Sequence, residues 1–368
     1  MSRGGPTSSA PFRFHEGRKT LSIMPTYACP AACADCATLS TPDDPNRLAA
    51  GDITAAIAEA KTLGFFNVVF TGGEATLRWP ELLGWITQAR ELGFPTRLVT
   101  NAHWAIRDET ARIRIAQLVA AGLSEINFST GDEHVRFVPL ERVARAVVAA
   151  RRAGLPVHVM IEMRDGNTVT REALLDHPFL DALTAEQRAP LSVMCSPWMP
   201  LEPDRSHAYP AGASVNRRNL GLKRGCDSIL QTYTLQADGR VGACCGLGMR
   251  LIDELQVGST ADGDRLAKAI DAAETDFLKI WLHYQGPESI VAWASRHDPS
   301  ILWEDQYSHH CQFCQRIYRD PKVRQVILDH WEEVIGQVLQ AVWLDRVAVP
   351  QTLAPDEGPQ DPAGSLCR

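Results

Sequence analysis

The chain has 368 residues, of which 45% are hydrophobic and 22% charged, enough for one large domain or for a barrel with a smaller domain beside it. A net charge of −7 without any Lys/Arg-rich block excludes nucleic acid as the main partner, because phosphate binding needs a basic surface. No run of about 18 apolar residues offers a transmembrane span, and the polar start of the chain lacks the apolar core of a secretory signal, so the cytoplasm is the default location.

Residues 1–19 and 349–368 read as flexible tails, the second rich in Pro, Gly, Asp and Gln and carrying Cys367. From Leu21 onward, short apolar runs alternate with longer amphipathic ones. The predicted strands are Leu21–Tyr27, Asn67–Phe70, Arg97–Thr100, Glu125–Ser129, Val157–Met163 and Leu191–Cys195. The predicted helices between them are Ile53–Leu63, Pro80–Leu92, Asp108–Ala121, Leu140–Ala153 and Arg171–Leu183. Gly51 or Asp52 offers a start for the first helix. Gly64, Gly93, Gly122 and Gly154 follow the apolar period, where glycine takes the left-handed position past a helix end.

This is a β/α unit repeated about six times, which predicts an α/β fold: a partial (β/α)6 barrel over residues 20–200. Residues 201–221 are rich in Pro, Arg and Ser and read as a linker. Residues 222–320 form a second, smaller region, and 321–348 hold a final helix read over Val323–Val347. In such folds ligands sit at the C-terminal ends of the strands. Those ends run into Cys29, Thr71-Gly72-Gly73-Glu74, Thr100-Asn101, Ser129-Thr130-Gly131-Asp132, Glu162 with Arg164, and Cys195-Ser196.

Ten cysteines are many for a cytosolic chain, where thiols stay reduced and a disulfide framework is the weaker reading. Cys29, Cys33 and Cys36 have the spacing C-x3-C-x2-C. Three close thiolates can hold three irons of a cubane cluster and leave the fourth open. Structural zinc is the alternative. It needs four ligands, and His15 and His103 stand at unusual spacing for a fourth.

This spacing after a first strand, with Gly72-Gly73-Glu74 after the second, resembles the signature of the radical S-adenosylmethionine (radical SAM) superfamily. The resemblance implies a 4Fe–4S cluster on Cys29, Cys33 and Cys36 whose open iron chelates SAM. It implies that Glu74 accepts a hydrogen bond from the SAM amino group, with Gly72 and Gly73 allowing close backbone approach. Ser129 and Arg164 stand where family members contact the ribose and carboxylate of SAM. Asn101 and Asp132 are further pocket residues. For these four, a turn or a helix cap is the competing reading. The implied chemistry is reductive cleavage of SAM to a 5′-deoxyadenosyl radical that takes hydrogen from an unactivated C–H bond. The electron comes from a donor such as flavodoxin or ferredoxin. One departure is Asp35, where the family usually has an aromatic residue before the third cysteine.

The second region resembles the twitch or SPASM extension of that superfamily. Cys226 is followed by twelve residues, Gly239, four residues and Cys244, and then by Cys311-Gln-Phe-Cys314. Asp238-Gly239 marks a hairpin turn. The resemblance implies one auxiliary 4Fe–4S cluster on Cys226, Cys244, Cys311 and Cys314, with a four-thiolate zinc site as the alternative. His309 and His310 precede the last pair, as surface or hydrogen-bonding residues. Cys245 and Cys195 are left over, and either thiol could return a hydrogen atom to a substrate radical. The order of Cys244 and Cys245 as ligand and free thiol stays open. The first functional reading is therefore epimerisation of a natural-product intermediate, a sugar or a peptide. The second is dehydrogenation or peptide cross-linking, with the auxiliary cluster as electron acceptor. A regulatory protein without turnover is the third.

Overall fold

The structure is a computed structural model that describes residues 19–348 except residue 203. Cys367 and nearly all of both expected tails lie outside the described residues.

Six strands, β1 (Thr20–Ile23), β2 (Asn67–Phe70), β3 (Thr96–Thr100), β4 (Glu125–Thr130), β5 (Val157–Met163) and β6 (Leu191–Pro197), lie parallel and in chain order. Between them run α1 (Ala50–Thr62), α2 (Trp79–Glu91), α3 (Asp108–Ala121), the short α4 (Asp132–Val135), α5 (Leu140–Arg152), and the short α6 (Arg171–Leu175) and α7 (Ala185–Arg188). This is the expected partial α/β barrel.

Alternation along the strands sorts the side chains. Val68, Phe70, Leu98, Ile126, Phe128, Val159 and Ile161 are buried in one core with Ile53, Ile57, Leu82, Ile86 and Ile115 from the helices. Each such aliphatic side chain contributes about 1.5–3 kcal/mol on burial. The alternate residues Val99, Ser129, Met160, Glu162 and Ser196 line the inner cavity. The glycines past α1, α2, α3 and α5 have φ of +75°, +82°, +101° and +83°, as the helix-end reading requires.

The second region does not stand apart from this sheet. β7 (Thr232–Leu235) pairs parallel with β1, Thr20 opposite Thr232. β8 (Arg240–Gly242) and β9 (Gln256–Ser259) continue it antiparallel, so one sheet has nine strands. Gly239, at φ +87°, makes the expected hairpin turn. The chain then forms α8 (Arg265–Glu274), α9 (Phe277–Gln285), α10 (Pro287–His297), α11 (His310–Arg319), α12 (Pro321–His330) and α13 (Ile335–Ala348).

Four local expectations change. β1 stops at Ile23, because Pro25 lacks an N–H and Tyr27 N–H turns to donate to Asn46 O. α1 begins at Ala50 with no side-chain cap, so Gly51 and Asp52 lie inside its first turn. The helix read over Arg171–Leu183 breaks before Pro178, into α6 and a 3-10 turn over Pro178–Ala182. The final helix is interrupted by a 3-10 turn over Trp331–Val334.

Candidate functional site

The loop after β1 carries Cys29, Cys33 and Cys36, and all three line one cavity of about 1010 Å³, counted to its open mouth. Gly72 and Gly73 run directly beneath this loop. Gly73 N–H donates to Thr26 O at 3.0 Å and Glu74 N–H to Ala28 O at 2.9 Å. A Cβ on Gly72 would lie 2.8 Å from Thr26 O, and one on Gly73 would collide with Ala28 O and Tyr27 O. The close approach these glycines permit is therefore, first of all, to the backbone of the cysteine loop.

Glu74 is buried and joins two strand ends. Its Oε1 accepts from Thr76 N at 3.2 Å, Thr76 Oγ1 at 2.5 Å and Thr100 Oγ1 at 2.8 Å, and its Oε2 from Asn101 N at 2.9 Å. Each carboxylate oxygen has about two acceptor positions, and Oε2, with a single bond, keeps one of them.

Asn101 is buried at the end of β3, and its Nδ2 donates to Cys29 Sγ at 3.5 Å. Thr38 Oγ1 lies 3.4 Å from Cys36 Sγ. These contacts suit metal-bound thiolates, whose sulfurs accept hydrogen bonds. Burial pushes the Cys29 thiol up to about 12, and burial with the Cys36 and Cys29 charges does the same for Cys33. Without a metal these thiols stay protonated, and a cationic cluster is what would make them thiolates.

Ser129 lines the cavity as expected, and buried Thr130 beside it has no hydrogen-bond partner for Oγ1. Arg164 does not line it. Its Nη2 donates to Glu133 Oε1 at 2.9 Å, and it lines a separate cavity with Asp165 and Asn167. Asp132 takes the turn role: its carboxylate accepts from Thr168 N, Thr168 Oγ1 and Val169 N.

Two residues stand in the cavity instead: Glu162, expected at a strand end but given no role, and His134, which the sequence reading passed over. Glu162, only 3% exposed, holds His134 Nδ1 at 3.0 Å through Oε2 and accepts Glu133 N–H on Oε1. A Cβ on Gly131, at φ +144°, would collide with Glu162 Cγ, so this glycine opens the path from Glu162 to His134. The His134 ring meets Trp198 edge-on at 5.5 Å. The signal was present in Glu162 at a strand end and His134 just past another, but only the fold joins them.

Asp35 ties the cysteine loop to a distant segment. At φ +55° its carboxylate faces Arg205 at 3.5 Å and His207 at 3.4 Å, while Trp198 Nε1 donates to Ala34 O at 3.1 Å. Residues 201–221 are therefore no free linker. They clamp the cysteine loop, and Tyr209 OH donates to Trp198 O at 2.7 Å and lies 3.4 Å from Gln312 Oε1.

Gln312 belongs to the second thiol set. Cys226, Cys244, Cys311 and Cys314 line one cavity. Cys311 and Cys314 share a face of α11 at its first turn, where His309 Nδ1 accepts Cys311 N–H at 3.1 Å as the cap. His310 lines the cavity. A Cβ on Gly246 would stand 3.2 Å from Cys311 Sγ and 3.5 Å from Cys244 Sγ, so the missing side chain leaves room between two thiols. Burial raises Cys226, Cys244 and Cys314 above the usual thiol range. These features fit a metal centre.

The two leftover cysteines do not sit where a hydrogen donor should. Cys195 pairs with Ile161 and shares its helix-facing side, whereas Ser196, opposite Glu162, faces the cavity. Cys245 lines neither thiol cavity; its Sγ is 3.3 Å from Ser228 Oγ.

Among the described residues no helix is long and apolar enough to cross a membrane. Residues 23–177 match the model of the Radical SAM superfamily. No curated protein matches the chain in sequence. Among solved structures, the chain is similar to native anSMEcpe with bound AdoMet and Cp18Cys peptide, with a TM-score of 0.51 at 11% identity over 88% of this chain and 99% of that one. It is also similar to SuiB of Streptococcus suis bound to S-adenosylmethionine, at 0.42 and 16% over 62% and 60%. A third is BtrN in complex with AdoMet and 2-DOIA, at 0.44 and 11% over 74% and 90%. With three cysteines gathered at the mouth of such a barrel, residues 23–177 form a radical SAM domain.

Proposed function

We propose that this enzyme oxidises a small molecule or a directly bound peptide. Cys29, Cys33 and Cys36 hold the SAM-binding 4Fe–4S cluster, and Cys226, Cys244, Cys311 and Cys314 an auxiliary one. The observation that carries this reading is that four thiols line one cavity, while Cys195 and Cys245 both stand outside the inner one. Epimerisation through a thiol thereby loses its two donors.

When bound, the first cluster with SAM supplies a radical that takes a hydrogen atom from carbon, and the second supplies a one-electron acceptor. The chain's own residues do the rest. Asn101 orients Cys29, and the remaining acceptor position on Glu74 Oε2 meets the SAM amino group. Ser129 and Thr130 present hydroxyls to the bound molecules. Glu162 fixes the proton of His134 on Nδ1, so Nε2 is the acceptor for a proton leaving the substrate.

Spacing favours iron–sulfur over zinc. Tetrahedral zinc with Zn–S of about 2.3 Å brings its thiolates to about 3.8 Å from one another. Among the described residues no three thiols lie within 4.8 Å of one another; only His297, His330 and Glu333 bring three ligand atoms that close. A cubane, with irons at its corners, spreads its thiolates wider.

The test is iron, sulfide and zinc content of anaerobically reconstituted protein, beside a variant with Cys29, Cys33 and Cys36 changed to Ala. About eight irons falling to about four supports the reading. Four irons with a thiolate-bound zinc removes the auxiliary electron acceptor. Turnover in D2O separates the reactions, since deuterium at a product stereocentre marks epimerisation and sinks oxidation.

A further inference from the structure

Outside the lining of both thiol cavities, the ends of two helices meet at a break that the sequence pattern does not reveal. α10 ends at His297 and α12 at His330, and the 3-10 turn that follows carries Glu333. His297 Nε2 lies 3.3 Å from Glu333 Oε2, and His330 Nδ1 lies 3.1 Å from Glu333 Oε1. The two imidazoles stack at 4.2 Å with 20° between their planes, and Trp293 packs on His297 at 4.8 Å.

From these contacts we propose a site for a borderline divalent cation, Zn²⁺ first, formed by His297, His330 and Glu333. Three observations point to it. One ligand atom from each residue lies within 4.8 Å of the other two. A tetrahedral ion with ligands at about 2.0–2.1 Å spaces them about 3.3 Å apart, and each imidazole nitrogen stands about that far from a different oxygen of Glu333, so the carboxylate bridges the two rings. Both helices present their C-terminal ends here, and the carbonyl dipoles of a helix end favour positive charge. Two imidazoles and one carboxylate are the donor set of Zn²⁺, Ni²⁺ or Cu²⁺ rather than of Mg²⁺ or Ca²⁺. Water would fill the fourth position, since His297 and Glu333 are exposed. The ion would tie the end of α10 to the break between α12 and α13. Zinc in the purified protein would then not by itself place zinc on the cysteines.

The experiment uses the reconstituted holoenzyme after chelator treatment, titrated with Zn²⁺ by calorimetry and read by zinc X-ray absorption. The expected result is one equivalent at micromolar Kd with nitrogen and oxygen ligands only. His297→Ala and His330→Ala should each weaken binding at least tenfold, while iron content and the melting temperature in chelator stay at wild-type values. Three results would overturn the site: no saturable binding, unchanged binding in both variants, or sulfur in the zinc shell. Loss of iron content would instead concern the cluster reading, so the two failures are distinguishable.

Discussion

Gly248 N–H donates to Ala37 O at 3.0 Å, which fastens the loop after Cys244 to the residue that follows Cys36. Leu247, between them, lines both thiol cavities. The two candidate centres therefore share a wall built from backbone, and what moves one loop moves the other.

Arg250 holds this junction. Its guanidinium lies 3.3 Å from the Tyr27 ring centroid and donates to Thr38 O and Leu39 O. Arg250→Ala should lower stability by about 1–3 kcal/mol through these lost contacts. It should also speed amide exchange at residues 36–39. Urea unfolding and exchange mass spectrometry check the two effects, and unchanged exchange would mean the loop holds itself.

Asn101→Leu removes the donor to Cys29 Sγ. A hydrogen bond stabilises the more electron-rich, reduced cluster, so its loss should lower the reduction potential by on the order of 50–100 mV. Potentiometric EPR titration reads this. A shift upward would put the amide in some other role.

His134→Asn should leave SAM binding within about threefold of wild type but cut product formation by about 100-fold, the usual range for a lost general base. Gly131→Ala should reach the same end by displacing Glu162, and cost about 1–3 kcal/mol of stability through overpacking. Equilibrium SAM binding separates the possibilities, because its loss in His134→Asn would make the dyad a SAM contact.

Cluster-free protein should weaken in alkali. The Cys29 thiol is raised to about 12 in the fold, against an ordinary value near 9. Above about pH 9 the unfolded chain releases this proton while the folded chain keeps it. The contribution is therefore full below pH 9 and is lost as pH rises toward 12. Urea midpoints at pH 8 and 10.5 should show the fall, and cluster-loaded protein, with Cys29 already a thiolate, should not.

Periodicity places β2, β5 and α3 to the residue, because each combines a clean alternation or helical period with a turn signal at its end. The thiol sets were legible for a similar reason: spacing along the chain is itself the ligand geometry. Cys195 was not, since its face depends on its register with Ile161, which no local pattern encodes. The pairing of Glu162 with His134 escaped because it exists only once β4 and β5 lie side by side. Asp35 departs from the expected residue, and its partners Arg205 and His207 lie 170 residues or more downstream.

The pairing of β1 with β7 has a consequence for how the protein is made. The strand that leads into Cys29 gains its second neighbour only when Thr232–Leu235 has left the ribosome, some two hundred residues later. Until then β1 is an open edge, and the loop beside it lacks the hydrogen bonds from Gly248 and Arg250. Iron delivered before that point would meet an unfinished cradle, so cluster insertion belongs after the second region has emerged.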